Sequence, residues 1–256
     1  MTAPPPAACL AYGDHPDQVA NLHVPAGDGA PWPCVVLLHG GFWRTGWNRT
    51  LMTPLAVDLA RRGLAAWNIE YRRVGQAGGG WPGTLEDVAA AIDALDEIEE
   101  VDAARVATCG HSAGGHLALW LASRARAGSP AMPGGPARVV PVLAVAQAGV
   151  CDLEQGWSDR LGNGAVEGFL GASPSEEPER YAASSPAALA PLDVPQLLVH
   201  GAEDDIVPVS QSLLQAVRDP DAEVVEVHGA DHFDVIDPEH EAWRLVADRL
   251  VASLST

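Results

Sequence analysis

The sequence predicts an α/β protein: a mostly parallel sheet with helices on both faces. Three observations carry this reading. Short apolar, β-branched runs alternate with segments of helical period along most of the chain. The strand-like runs break off at glycine or at Gly-Gly, as crossover strands do. The chain has 256 residues, 47% of them hydrophobic, which is enough for one large domain with a sizeable core.

The elements follow in order. The first thirty residues, punctuated by Pro and Gly, predict a short strand or hairpin. CVVLLHG (34–40) predicts a buried strand, and TPLAVDLARRG (53–63) a helix stopped by glycine. LAAWNIEYR (64–72) predicts the next strand. TLEDVAAAIDALDEI (84–98) predicts a helix, with Thr84 and Asp87 spaced as in a loose capping box. RVATCG (105–110) reads as a strand and AGGHLALWLASRA (113–125) as a helix. Two strands follow, RVVPVLAVAQAG (138–149) and PQLLVHG (195–201). VSQSLLQAVR (209–218) is helical, AEVVEVHG (222–229) a strand, and EHEAWRLVADRLVASL (239–254) a closing helix. Residues 150–194 are rich in Gly, Ser, Pro and acid and lack a period. They predict a small lid-like excursion over the carboxyl edge of the sheet, where open α/β sheets place ligands. No repeat of fixed period is present.

Charge and cysteine content exclude several functions. The formal net charge is −19, and every basic residue is arginine. Such a chain is repelled by nucleic acid and by anionic membranes, so neither is expected as a partner. Cys9, Cys34, Cys109 and Cys151 lack the paired spacing of metal or redox sites. They are expected to be reduced thiols in a cytoplasm, with a disulfide as the alternative that an even count leaves open. MTAPPPAACL has no basic start and no long apolar run, so no secretory signal is expected. No stretch approaches the roughly 20 apolar residues of a membrane span.

The chemistry concentrates in four short stretches. GHSAGG (110–115) fits G-x-S-x-G between a predicted strand and a predicted helix, the context that motif requires. There Ser112 takes strained backbone angles and projects from the top of the sheet. The helix start behind it favours a developing oxyanion, with the Ala113 amide as one donor. A phosphate loop is the weaker reading, since the chain has no G-x-x-x-x-G-K-[ST] and no lysine. A serine hydroxyl needs a base, and the base an orienting acid, expected in the order Ser, acid, His. GAEDDIVP (201–208) offers Asp204, preferred over Asp205, with Glu203 last. ADHFDVID (230–237) offers His232 as the base. His228 reads as structural and His240 as an exposed helix residue. HGGFWR (39–44) offers a second oxyanion element, the amides of Gly41 and Phe42, with His39 as a brace. Trp43, Trp47 and Trp157 are candidate pocket walls. Arg44, Arg72 and Arg73 are candidate carboxylate receptors, although surface or structural ion pairing is the plainer reading.

HGGFW, GHSAGGHLA, HGAEDDIVP and DHFDVI together resemble the α/β-hydrolase superfamily on its esterase side. The HGG-x-W form resembles kynurenine formamidase and related small bacterial esterases, including the feruloyl-esterase-like group. EYRR and WPGTLEDVAAAI are similar to hormone-sensitive-lipase-like carboxylesterases. The resemblance runs from about residue 30 onward. It implies the α/β-hydrolase fold: an eight-stranded sheet whose second strand is antiparallel. It also implies a Ser112–Asp204–His232 triad and an oxyanion hole from Gly41, Phe42 and Ala113. The chain departs from the lipase-like group where Phe-Trp replaces a third glycine and where long N-terminal cap helices are missing. That favours the formamidase-like branch.

The expected function is a serine hydrolase that cleaves small carboxylic esters through an acyl-enzyme, with no metal and no cofactor. The alternatives are an arylformamidase and, more remotely, a non-catalytic binding module on the same fold.

Overall fold

The computed structural model describes residues 7–124 and 132–255. Residues 1–6 of the opening segment and Ala125, the end of the helix predicted over 113–125, lie outside that range.

The described residues form one eight-stranded sheet. An opening hairpin, β1 (Ala8–Ala11) and β2 (Val19–His23), is followed by β3 (Trp32–Leu38), helix α1 (Thr53–Arg61) and β4 (Ala65–Ile69). Next come α2 (Gly83–Asp93), β5 (Val101–His111), α3 (Ala113–Ser123) and β6 (Leu143–Gln147). After an insertion, β7 (Gln196–Gly201), α8 (Ser210–Arg218), β8 (Ala222–Val227) and α9 (Glu241–Leu254) complete the fold. The strand order is β1-β2-β4-β3-β5-β6-β7-β8. β2 runs antiparallel to both its neighbours, and every other pairing is parallel.

Two cores follow from the two-residue period of a strand. In β3, Cys34, Val36 and Leu38 face one side and Val35 and Leu37 the other, all fully buried. The first side is covered by α2 and α3, through Leu85, Val88 and Leu117. The second is covered by α1 and α9, through Leu55, Leu59, Trp243 and Val246. Because both faces are covered, the central strands read as unbroken apolar runs.

Several boundaries differ from expectation, each for a local reason. The strand expected over 138–149 begins only at Leu143, because Pro141 has no amide to donate to a neighbouring strand and Val140 and Val142 face solvent. β4 stops at Ile69, where Glu70 and Tyr71 turn to meet His39. The helix expected over 84–98 tightens into a 3₁₀ turn at Ala94–Glu97. Thr84 and Asp87 do not form a capping box. Thr84 Oγ1 donates to the carbonyl of Arg72, and Asp87 is buried against the Arg72 guanidinium at 2.6 Å. Both are committed to the loop before the helix.

The stretch 150–194 becomes four short helices: α4 (Leu153–Ser158), α5 (Leu161–Leu170), α6 (Pro178–Ser184) and α7 (Pro186–Leu189). Left-handed backbone at Arg160 and Gly162–Gly164 breaks the start of α5. The insertion packs into the first core. Phe169 stacks on Trp43 with ring centroids 4.6 Å apart, and the Trp120 indole donates to the carbonyl of Ala183. His116 ties three segments together. Its Nδ1 accepts from the Trp43 indole at 3.2 Å, so its Nε2 carries the proton donated to the carbonyl of Ser184 at 2.9 Å.

No helix among the described residues is long and apolar enough to cross a membrane.

Burial lowers the pKa of His116 to about 4, against a weaker opposing effect of its bond to Ser184. The unfolded chain takes up this proton near pH 6.5 and the folded chain does not. Stability is therefore present above that pH and falls as pH drops toward 4. Between pH 6.5 and 4.5, the His116→Gln protein is expected to lose about 2 kcal/mol less unfolding free energy than the wild type. Urea titrations at the two pH values check this, and equal losses contradict it.

Candidate active site

Four strands deliver the predicted residues to one edge of the sheet. β5 ends at His111, and Ser112 is the next residue, immediately before α3. Ser112 has φ 56° and ψ −120°, a strained conformation for a residue with a Cβ. The turn is held from both sides. Ser112 donates its amide to the carbonyl of Gln147 on β6 at 2.8 Å. Gly114 presses α3 against β3 so closely that a Cβ there would lie 2.1 Å from the carbonyl oxygen of Leu38. Gly110 shows the same crowding against the carbonyl of Gly114, at 2.0 Å. The small residues around the serine are thus a steric requirement of the turn.

Beyond β7, the loop carries Asp204 inward while Glu203 and Asp205 stay exposed. Asp204 Oδ1 accepts from the amides of Ile206 and Val207 at 2.9 and 2.8 Å. Its Oδ2 accepts from His232 Nδ1 at 2.7 Å and lies 3.3 Å from His200 Nε2. Burial by itself raises this carboxyl's pKa. The bonds from His200, His232 and the Val207 amide, with the charge of His232, outweigh it and hold the group well below the usual carboxylate range. His232 follows β8 and is buried. Because its Nδ1 donates to Asp204, its Nε2 is the bare acceptor nitrogen. His232 and Ser112 line the same cavity.

That cavity has a volume of about 140 Å³. Its apolar walls are Phe42, Trp47, Leu51, Ile206 and Phe233, with Gly41, His111, Ser112 and His232 between them. The volume is close to that of an apolar cavity that accepts one benzene ring. A groove of about 530 Å³ lies beside β1 and α2, away from the serine, and its Arg138 is already paired with Glu97.

The loop after β3 forms the other wall. Gly41 has φ 109°, and Phe42 and Trp43 are also left-handed, which turns the chain sharply past the serine. Among the described residues, the amides of Gly41 and Phe42 donate to no backbone carbonyl. The amide of Ala113, the first residue of α3, has no partner within its own helix. His39 braces this loop. Its ring stacks on Tyr71 at 4.4 Å, its Nε2 lies 2.8 Å from Glu70 Oε1, and its Nδ1 lies 2.7 Å from the Gly40 carbonyl.

The pocket candidates separate. Trp47 lines the cavity and is 45% exposed. Trp43 does not line it: the left-handed turn points its ring into the core, where it is fully buried between Phe169 and His116. Trp157 also lies elsewhere, inside the insertion, with its indole donating to Glu167 at 2.9 Å. The three arginines are engaged. Arg44 donates to the carbonyl of Gly162, Arg72 pairs with Asp87, and Arg73 pairs with Asp17 and Glu70. His228 is exposed beyond β8, and His240 caps α9 by accepting from the Ala242 amide.

Sequence reasoning misses Leu51, Ile206, Phe233, His111 and His200. Phe233 and His111 are adjacent to His232 and Ser112, so proximity in the chain is the available signal. Nothing in the sequence marks Leu51, which arrives through the turn before α1.

The BD-FAE family profile matches residues 20–217. A rice protein, the probable isoprenylcysteine alpha-carbonyl methylesterase, is 32% identical over 116 residues. That match covers 42% of this chain and 26% of the rice protein, about a quarter of its length. A truncated carbohydrate esterase from gut microbiota superposes with a TM-score of 0.83 at 19% identity, covering 99% of this chain and 98% of that one. Esterase B from Lactobacillus rhamnosis gives 0.79 at 22% identity, covering 97% and 85%. At these identities the two structures speak for a shared fold.

Gly114→Ala is expected to destabilise the protein by about 3 kcal/mol, because the added methyl meets backbone that cannot rotate away. Thermal unfolding of the variant checks this, and an unchanged Tm contradicts it.

Proposed function

The chain belongs to the BD-FAE family, an esterase family of the α/β-hydrolase fold, and from that premise we propose that it is a serine esterase acting on small, uncharged carboxylic esters. One observation carries the reading. His232, bonded to Asp204 at 2.7 Å, opens with Ser112 onto one small apolar cavity.

In the proposed reaction His232 Nε2 takes the Ser112 proton as the hydroxyl attacks the ester carbonyl. The amides of Gly41, Phe42 and Ala113 receive the tetrahedral oxyanion. His232 then returns the proton to the leaving alcohol and leaves an acyl-serine. Water, deprotonated by the same histidine, releases the acid. Asp204 keeps the imidazole in the tautomer this cycle needs and stabilises its charged form. The four free cysteines suit a reducing compartment.

Size and charge support an ester over an aryl formamide. The cavity takes a short acyl chain or a single ring. The formamide of tryptophan breakdown carries an amino-acid carboxylate, yet Arg44, Arg72 and Arg73 already have partners. The exposed acids Glu203, Asp205 and Asp231 border the loops that bear Asp204 and His232 and repel an anion.

The discriminating experiment compares p-nitrophenyl acetate, butyrate and decanoate with N-formyl-L-kynurenine, using Ser112→Ala as the blank. Higher kcat/KM on acetate and butyrate than on decanoate or the formamide is expected. A large preference for the formamide would reassign the enzyme to arylformamidases. Silence on all four, with no fluorophosphonate labelling of Ser112, would point to a binding module.

Asp204→Asn is expected to lower kcat by roughly a thousandfold or more, as loss of a triad acid does. Asp205→Asn should stay within about twofold, since that side chain faces solvent and leaves the triad untouched. Steady-state kinetics on p-nitrophenyl acetate decide between them, and the reverse ranking would move the acid to Asp205.

A further inference from the structure

His111, the residue before the serine, contacts the base through its ring and through the base's own main chain. Its Nε2 lies 2.8 Å from the backbone carbonyl oxygen of His232. A carbonyl only accepts, so Nε2 carries the proton and the ring is the Nε2–H tautomer. Its Nδ1 is then a bare lone pair, buried and without a hydrogen-bond partner among the described residues. The glycine loop passes directly over it: a Cβ on Gly40 would lie 3.0 Å from this nitrogen. The His111 ring also packs on the His232 ring, with centroids 4.6 Å apart, and on Phe233 at 5.6 Å.

We infer that His111 is a positioning residue for His232, holding the base by its main chain while Asp204 holds it by its side chain. The inference rests on the reading of His232 as the base. A loop residue fixed only at Nδ1 can still swing about that bond. A second attachment, at its own carbonyl, removes that freedom and aims Nε2 at Ser112. The attachment comes from the neighbour of the nucleophile, so one rigid turn sets the position of both reacting groups.

The remaining features of His111 fit this part. Burial, and then the charge of His232, lower its pKa to about 3. The ring therefore stays neutral when His232 is protonated during turnover, and it neither competes for the proton nor repels the base. Other ionisable groups near the base are Asp204, held charged, His200 behind it, and exposed Asp231. The histidine supplies a donor at ring length, 2.8 Å from the carbonyl.

The test compares His111→Phe with His111→Gln, whose terminal amide reaches to the same depth and can donate. Phe is expected to lower kcat on p-nitrophenyl acetate about 30-fold to 100-fold with KM within about threefold, the signature of a misaimed base. Gln is expected to recover most of that loss. A purely structural role predicts parallel losses in Tm with no dependence on the donor. Phe retaining wild-type kcat, or folded Gln no better than folded Phe, overturns the inference. Imidazole ¹⁵N–¹H spectra of the wild type read the tautomer without any variant. The Nε2–H form of His111 is expected from pH 5 to 8, and an Nδ1–H form overturns the inference. His232→Ala separates the two readings. Activity retained there defeats the triad itself, whereas loss there with a fully active His111→Phe defeats only the role of His111.

Discussion

The site depends on one constraint: Ser112 is held at a positive φ in a turn that has no room to relax. A side chain at φ 56° is unfavourable, and only the surroundings keep it there. β6 holds the serine amide, and α3 is wedged against β3 by the contact of Gly114 with the Leu38 carbonyl. The same wedge brings the end of β3, and so the Gly41–Phe42 turn, within reach of the serine. The close approach of three backbones thus fixes both the serine, which lines the cavity, and the amides that flank it. A larger residue in this corner would separate them together.

The second wall is fixed by charge. Glu70 is almost fully buried, and burial pushes its pKa up. The bond and attraction of His39, the Arg49 amide and the charge of Arg73 outweigh this and keep it lowered. Arg73 in turn reaches Asp17 on the opening hairpin and the carbonyl of Trp47. Buried ion pairs add little net stability, but breaking one leaves an uncompensated charge, so such networks define geometry. Here the network spans the opening hairpin, the end of β4 and both ends of the glycine loop. It therefore stiffens the loop that the proposed oxyanion donors sit on. Arg44 and Arg72 are engaged in the same way, in line with the plainer reading of these arginines as structural.

The fold is legible in the sequence because its strongest signals are local and periodic. Unbroken apolar strands and amphipathic helices at the right spacing need no knowledge of tertiary contacts. The same holds for the candidate site, whose members each sit just past a strand end, and Asp204 rather than Asp205 meets His232. What escapes is set by contacts between distant segments. The insertion helices are short, and α5 opens with left-handed residues, so no period survives to be read. Trp43 looks like a pocket wall from its neighbours Gly41 and Phe42. A left-handed backbone at Trp43 itself sends the ring to Phe169, 126 positions further along the chain. Thr84 and Asp87 carry a capping pattern that Arg72 overrides.

The histidines show why residue type alone is weak evidence for chemistry. Six of the nine are buried: His23, His39, His111, His116, His200 and His232. His39, His116 and His200 have both ring nitrogens tied to protein groups. His23 and His111 each keep one nitrogen without a partner among the described residues, but it is sealed from solvent. His232 differs: its Nδ1 is tied to a carboxylate, and its ring borders the cavity that holds the serine. A general base needs one nitrogen held and the other open. Only the fold decides which histidine meets both conditions. Five of the six buried rings connect segments or are enclosed by the core, and the sixth borders the cavity. Its ring packs on that of His111, with centroids 4.6 Å apart, so the residue next to the nucleophile and the histidine beside it are parts of one construction.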